Sequence, residues 1–229
     1  MEACFLNVTL SITQQNLFSA YAAFLLQENQ KYNLTSITDP AEIQAKHFED
    51  SLLLLDIAEI PQGASVIDIG AGAGFPGVPL GIARPDLRLT LLESTGKKAA
   101  FLRELGVRLD LPFTVINERA ETAAHDPKLR ENFDWAVSRA VAALPLLCEL
   151  CLPFVKTGGV FAAYKGAREK ALVELAQSQH ALRVLGAAAV KIETRQAAHG
   201  ERTILLLKKI SQTPGNYPRN HGAMLKKPL

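Results

Sequence analysis

From Ser65 onward, short apolar runs rich in β-branched residues alternate with longer helix-capable stretches. The runs fall at residues 65–69, 88–93, 113–117, 133–138 and 159–164, followed by stretches such as 97–109 and 167–182. Five strand-then-helix units predict a parallel sheet with helices on both faces, because parallel neighbours need a crossover that packs back onto the sheet. The end of the chain breaks the alternation. Residues 184–193 and 202–208 are both β-rich and are joined by a polar loop, 194–201. Pairing them as a hairpin completes a seven-stranded sheet with one antiparallel strand. The first 60 residues instead read as helical. Leu17, Ala20, Tyr21, Phe24 and Leu25 form one apolar face, and Asp39-Pro-Ala-Glu42 joins an N-cap acid to a first-turn proline, opening a second helix that runs to about Glu59. The predicted organisation is a helical extension over 1–60, an α/β core over 61–210 and an irregular tail over 211–229.

The stretch Val66-Ile-Asp-Ile-Gly-Ala-Gly-Ala-Gly-Phe-Pro-Gly77 carries the first chemistry. An apolar strand breaks into a glycine-dense turn, and Pro76 and Pro79 stand near the start of a helix, where a missing N–H costs little. Gly70, Ala71, Gly72 and Gly74 leave the backbone open to a ligand. Gly72, Gly74 and Gly77 also satisfy the dinucleotide fingerprint, with acidic Glu93 about 20 residues on as that fingerprint expects. NAD is therefore one reading. Asp68 tilts the choice: a carboxylate aimed into the crevice suits a cationic ligand and repels a pyrophosphate. S-adenosylmethionine carries an ammonium, a sulfonium and a ribose diol that Glu93 could accept. Acid-x-Gly-x-Gly-x-Gly resembles motif I of the class I methyltransferases, whose Rossmann-like sheet has the strand plan above.

Ligands in such sheets bind at the carboxyl ends of the strands. That rule selects Asp68 and Gly70, Glu93 and Ser94, Asn117 to Glu121, Ser138-Arg139-Ala140 and Tyr164-Lys165-Gly166. Arg139 follows apolar Trp135-Ala-Val137 and is either held by the crevice or paired structurally at the strand end. His47, Asp50 and Ser51 share neighbouring turns of the second helix. They read either as structural hydrogen-bonding groups or as a wall beside the substrate.

Composition narrows the setting. The chain has 229 residues, 48% of them hydrophobic, enough for a buried core. No apolar run is long enough for a membrane span, and Met1-Glu-Ala-Cys-Phe lacks a signal-like start, so a cytoplasmic protein is expected. Cys148 and Cys151 lie in an apolar helical stretch with Cys4 the only other thiol, which points to buried spectators and no metal site. Charge is uneven. Residues 1–60 sum to −6, whereas 202–229 hold six basic residues and no acid. The tail is where a polyanion would first be attracted.

Taken together, Asn33-Leu34-Thr35, His47-Phe48, Asp50-Ser51-Leu52, the Asp68 to Gly77 loop, Arg84-Pro85, Leu91-Leu92-Glu93-Ser94, Lys97-Lys98, Ser138-Arg139-Ala140, Lys165-Gly166 and the tail Tyr217-Pro-Arg-Asn-His-Gly222 with Lys226-Lys-Pro-Leu229 resemble the bacterial RsmG (GidB) family. The resemblance implies methylation of guanine N7 in 16S ribosomal RNA with S-adenosylmethionine as cofactor. It places Gly70, Phe75, Ala120, Glu121 and Arg139 at the cofactor. Asn220-His221 departs from it, standing where a more basic pair is expected.

RNA contacts are expected from His47, Asp50 and Ser51 and from Lys165, Arg195, Arg202, Lys208, Lys209, Arg219, Lys226 and Lys227, with a tail that orders on RNA and a monomeric protein. The residues without the resemblance also allow a cofactor-binding assembly factor without catalysis, or a small-molecule methyltransferase.

Overall fold

The computed structural model describes the backbone of residues 4–5 together with residues 8–197 and 200–229. Residues 1–3, part of the stretch read as lacking a signal-like start, and the Cys4 side chain lie outside that description. A two-stranded antiparallel ribbon, β1 (Cys4–Phe5) and β2 (Val8–Thr9), precedes the long helix α1 (Ile12–Tyr32). The second predicted helix exists in three pieces: α2 (Pro40–Ile43), a π-helical segment Gln44–Glu49, and α3 (Asp50–Ile57). The alternating core follows, with β3 (Ser65–Ile69), α4 (Gly77–Ala83), β4 (Arg88–Leu92), α5 (Gly96–Leu109), β5 (Thr114–Ile116), α6 (Ala120–Ala123), β6 (Phe133–Arg139), α7 (Leu144–Cys151) and β7 (Val155–Lys165). After α8 (Arg168–Gln177) and α9 (Gln179–Leu185) come β8 (Ala187–Ala197), β9 (Gly200–Lys209) and α10 (His221–Lys226).

The seven strands are ordered β5-β4-β3-β6-β7-β9-β8. Neighbours from β5 to β7 pair in parallel, and β9 runs antiparallel to both β7 and β8. The order reverses between β3 and β6, which opens a crevice above their carboxyl ends.

Strand alternation sends side chains to two hydrophobic layers. Val66, Leu91, Val137, Ile204 and Leu206 join one layer with Phe18, Tyr21, Phe24 and Leu25 of α1 and Leu52 to Leu54 of α3. Ile67, Ile69, Leu205 and Leu207 join the other, with Leu147, Cys148 and Cys151 of α7. The N-terminal helices thus share one layer's core with the sheet. Both α7 cysteines are free and buried, and burial pushes the Cys148 thiol up to about 12.

Three expectations shift. The buried stripe of α1 is Phe18, Tyr21, Phe24, Leu25 and Glu28, with Ala20 exposed, because Phe18 and Tyr21 pack their rings against Phe48. Strand β7 starts four residues early, its polar start having hidden it, and the hairpin reaches through residues 194–197, since ladder bonds need no apolar side chain. The tail, expected to be irregular, carries the short helix α10: Met224 on it is fully buried and Asn220 caps it by accepting from the Ala223 N–H at 2.9 Å.

Lys209 is likewise structural rather than RNA-facing. Its ammonium is wholly buried and donates to Glu131 Oε1 at 2.8 Å, Thr213 Oγ1 at 2.7 Å and the Leu152 carbonyl at 3.0 Å. Lys209→Met leaves the Glu131 carboxylate without its counter-charge. The denaturant midpoint should fall by an equivalent of about 3 kcal/mol, while RNA affinity of the folded fraction stays at the parental value.

Candidate active site

The loop after β3 is held in a left-handed backbone, with φ of 74° at Gly70, 59° at Gly72 and 103° at Gly74. Three side chains hold it there. Asp68 Oδ2 accepts the Gly77 N–H at 2.8 Å, Glu93 Oε2 accepts the Gly72 N–H at 2.9 Å, and the buried Tyr21 hydroxyl donates to the Ala73 carbonyl at 2.5 Å. Two glycines leave no room for anything larger. A Cβ at Gly74 would lie 2.6 Å from the Tyr21 hydroxyl, and one at Gly70 2.5 Å from Val141 Cγ2. At Gly72 a Cβ would meet only the Gly70 carbonyl, at 3.8 Å, so this backbone faces open space.

That space is a crevice of 880 Å³ over the carboxyl ends of β3, β4, β6 and β7. Gly70, Ala71, Gly72 and Phe75 line one side with Glu93 and Ser94. Arg139, Lys165, Arg202, His47 and Asp50 line the other. A smaller cavity of 120 Å³ adjoins it, sharing Gly70, Ser94 and Val141, and is walled by Ala120 and Glu121. The structure therefore brings together most of the residues selected from the strand ends and adds the π-helical segment to them.

Arg139 is the hub of the second side. Its guanidinium donates to Asp50 Oδ2 at 2.6 Å and the Lys46 carbonyl at 2.9 Å, lies 3.1 Å from His47 Nδ1, and sits over the Phe75 ring at 5.1 Å. His47 stacks on the same ring at 4.3 Å, with its Nε2 2.8 Å from Thr35 Oγ1. Asp50 also faces Arg202 across 2.9 Å, an ion pair whose angle falls outside hydrogen-bond geometry. The Arg139–Asp50 pair is thus structural and lines the crevice at once.

Several predicted contacts are otherwise engaged. Asp68 is fully buried beneath the loop and does not line the crevice, because its carboxylate caps the first residue of α4; Oδ1 has no hydrogen-bond partner among the described residues. Gly74 lies behind the loop against Tyr21. Ser51 is buried, its hydroxyl donating to the His47 carbonyl. Arg195 pairs with Asp56 and Glu193 on the outer strand, and Arg219 pairs with the buried Glu149. Lys165 donates to Glu174 and the Ala142 carbonyl while still bordering the crevice. Lys208, Lys226 and Lys227 remain exposed.

Tyr21 is a site residue that the strand-end rule does not reach, whereas Tyr164 is one of the residues that rule selects. Tyr21 looked like one apolar position among several. Tyr164 lines the crevice and donates to the Ser51 carbonyl at 2.8 Å, a role carried by one hydroxyl at a strand end.

The model of the family described as GidB, rRNA small subunit methyltransferase G, matches residues 14–205. The chain belongs to this family. It is 46% identical over 227 residues to ribosomal RNA small subunit methyltransferase G of Desulfitobacterium hafniense, covering 98% of this chain and 93% of that one. The corresponding Moorella thermoacetica protein is 44% identical over 226 residues, covering 97% and 93%. Among solved structures, TrmN from Thermus thermophilus superposes with a TM-score of 0.54 at 16% identity, over 70% of this chain and 48% of that chain. TYW2 from Pyrococcus horikoshii in complex with MeSAdo gives 0.54 at 14%, over 70% and 61%. The enzyme is a methyltransferase with a class I sheet, and S-adenosylmethionine is its cofactor.

The residues fit that group. Gly72 presents bare backbone to the crevice, where any Cβ would occupy ligand space. Glu93 accepts Gly72 N–H through Oε2 and Thr95 N–H through Oε1, and each oxygen keeps a lone pair for a ribose hydroxyl.

Burial pushes the Asp68 carboxyl up to about 7, against the Gly77 N–H and Arg139, which favour its ionised form. The folded chain therefore keeps a proton that the unfolded chain releases near 3.8. This contribution is intact below the unfolded value and is lost as pH rises towards the folded one. Asp68→Asn removes the titration while Asn Oδ1 can still accept from Gly77. Midpoints measured across pH 4 to 8 should show a flatter slope in the variant, the difference being a few kcal/mol at most.

Proposed function

We propose that this enzyme transfers the methyl group of S-adenosylmethionine to N7 of a guanine in 16S rRNA, acting in the cytoplasm as a monomer on the small ribosomal subunit or its RNA. The observation that carries this reading is a crevice with bare glycine backbone on one side and an Arg139–Asp50 ion pair on the other, in a chain of the small-subunit methyltransferase G family. When bound, the cofactor supplies an electrophilic methyl on a sulfonium.

Guanine N7 presents a free lone pair, so no proton need leave before transfer. The crevice accordingly requires no general base, and Arg139 could not serve as one, because a guanidinium stays charged at neutral pH. What these residues provide is placement. Phe75 offers an apolar face beside the crevice, stacked by His47, and Arg139 is held by three partners so that its direction is set before any ligand enters. Arg202, Lys208, Lys226 and Lys227 supply positive charge for phosphates, and an unstacked base supplies selection.

The test is transfer of labelled methyl from S-adenosylmethionine to small subunits and to free rRNA from cells lacking this protein, followed by nucleoside analysis. Label in 7-methylguanosine is the expected outcome; label in another nucleoside rules out the N7 assignment, and no transfer rules out the reading as a whole. Arg139→Lys keeps the charge and loses the fork. Its kcat/KM should fall about a hundredfold, read in the same assay with circular dichroism confirming the fold.

A further inference from the structure

The tail passes beside the cavity that adjoins the cofactor crevice. His221, the first residue of α10, lines the 120 Å³ cavity that adjoins the crevice through Gly70 and Ser94. The cavity floor is apolar, built by Ile69, Leu92 and Leu150. Its polar groups come from two sides. Glu118, Arg119 and Glu121 stand after β5, with Arg119 Nε donating to Glu121 Oε1 at 2.6 Å, and the His221 imidazole faces that pair from the tail, its Nδ1 4.0 Å from Glu121 Oε1, beyond hydrogen-bond distance.

The tail is fastened so that this placement is built in. The Arg219 guanidinium donates to Glu149 Oε1 at 2.8 Å and Oε2 at 2.6 Å, and the Arg219 backbone N–H adds a third bond to the same carboxylate. Glu149 is completely buried on α7. Ahead of it, Arg130 donates to the carbonyls of Thr213, Pro214 and Tyr217, and the His125 ring nitrogen lies 2.9 Å from the Pro218 carbonyl. Past it, Met224 is sealed in the core. A segment held by a buried carboxylate, a forked guanidinium on three carbonyls and a core methionine has already lost the freedom of an arm that waits for RNA.

We propose that the tail is the outer wall of the adenine site and that His221 is a cofactor-binding residue which, with Glu121, selects adenine. The inference rests on the cofactor reading of the crevice and extends it. An apolar floor suits a flat base, and Glu121 Oε2, which the Arg119 bond to Oε1 leaves available beside the imidazole, offers an acceptor to an exocyclic amine. Adenine carries that amine; hypoxanthine carries a keto oxygen in its place, which the Glu121 carboxylate would repel. Phosphate attraction by the tail is then confined to Lys226 and Lys227 beyond the wall.

Calorimetric titration of the full chain with S-adenosylhomocysteine and S-inosylhomocysteine, alongside His221→Ala and His221→Asn, tests the assignment. The parental enzyme should prefer the adenosyl compound. His221→Ala should bind it about tenfold more weakly, the equivalent of one lost hydrogen bond, with a narrowed preference over the inosyl compound. His221→Asn should recover part of both, and the KM for the rRNA acceptor should stay put at saturating cofactor. Unchanged adenosyl binding in His221→Ala, or a weakened rRNA KM with cofactor affinity intact, overturns the role of the tail alone. A parental protein that binds neither compound overturns the cofactor reading and this inference with it.

Discussion

The structure depends on holding a glycine loop in a left-handed backbone with its amide surface bare. That conformation strains most residues and leaves few contacts of its own. It is stable here because groups from three elements grip it from below and behind: Asp68 from its own strand, Glu93 from the end of β4, and Tyr21 from α1. The helical extension is thus part of the crevice's construction. Removing side chains from the loop made the ligand space, and the gripping groups lie outside the loop because inside it they would fill that space.

The second side of the crevice follows another rule. A guanidinium at a strand end must be partnered when water is scarce, and Arg139 finds Asp50, a backbone carbonyl and His47 on one π-helical stretch and the helix after it. The wider helical turn at Gln44–Glu49 presents the Lys46 carbonyl and the His47 ring to the same guanidinium. Buried ion pairs contribute little net stability when compared with apolar packing, but breaking one is costly. Such a pair therefore sets direction more than it adds strength, which is what a positioning crevice needs.

Positive charge illustrates the distance between composition and location. Eight Lys and Arg residues near the sheet end and tail looked equally suited to phosphate. Lys209 is sealed against Glu131, Arg219 against Glu149, and Arg195 against Asp56 and Glu193. Lys165 is turned to Glu174, whereas Lys208, Lys226 and Lys227 face solvent. The acids that neutralise Lys209 and Arg219 lie 70 or more residues away in the chain. No local count of charge could have found them.

The sequence by itself determined the strand plan, the glycine loop, the position of Glu93 and Arg139 at strand ends, and the family. These are legible because periodicity, glycine chemistry and strand-end position act over a few residues. Tertiary structure decided where Asp68 points, since its partner is the Gly77 amide revealed only when the loop folds back. It decided that Tyr21 serves the loop and that Ser51 is closed to RNA. It also decided that an acid-free tail seats His221 beside Glu121, because the buried carboxylate that holds that tail arrives from α7 on another part of the chain. Burial and long-range pairing are sums over neighbours, and those neighbours exist only once the sheet has formed.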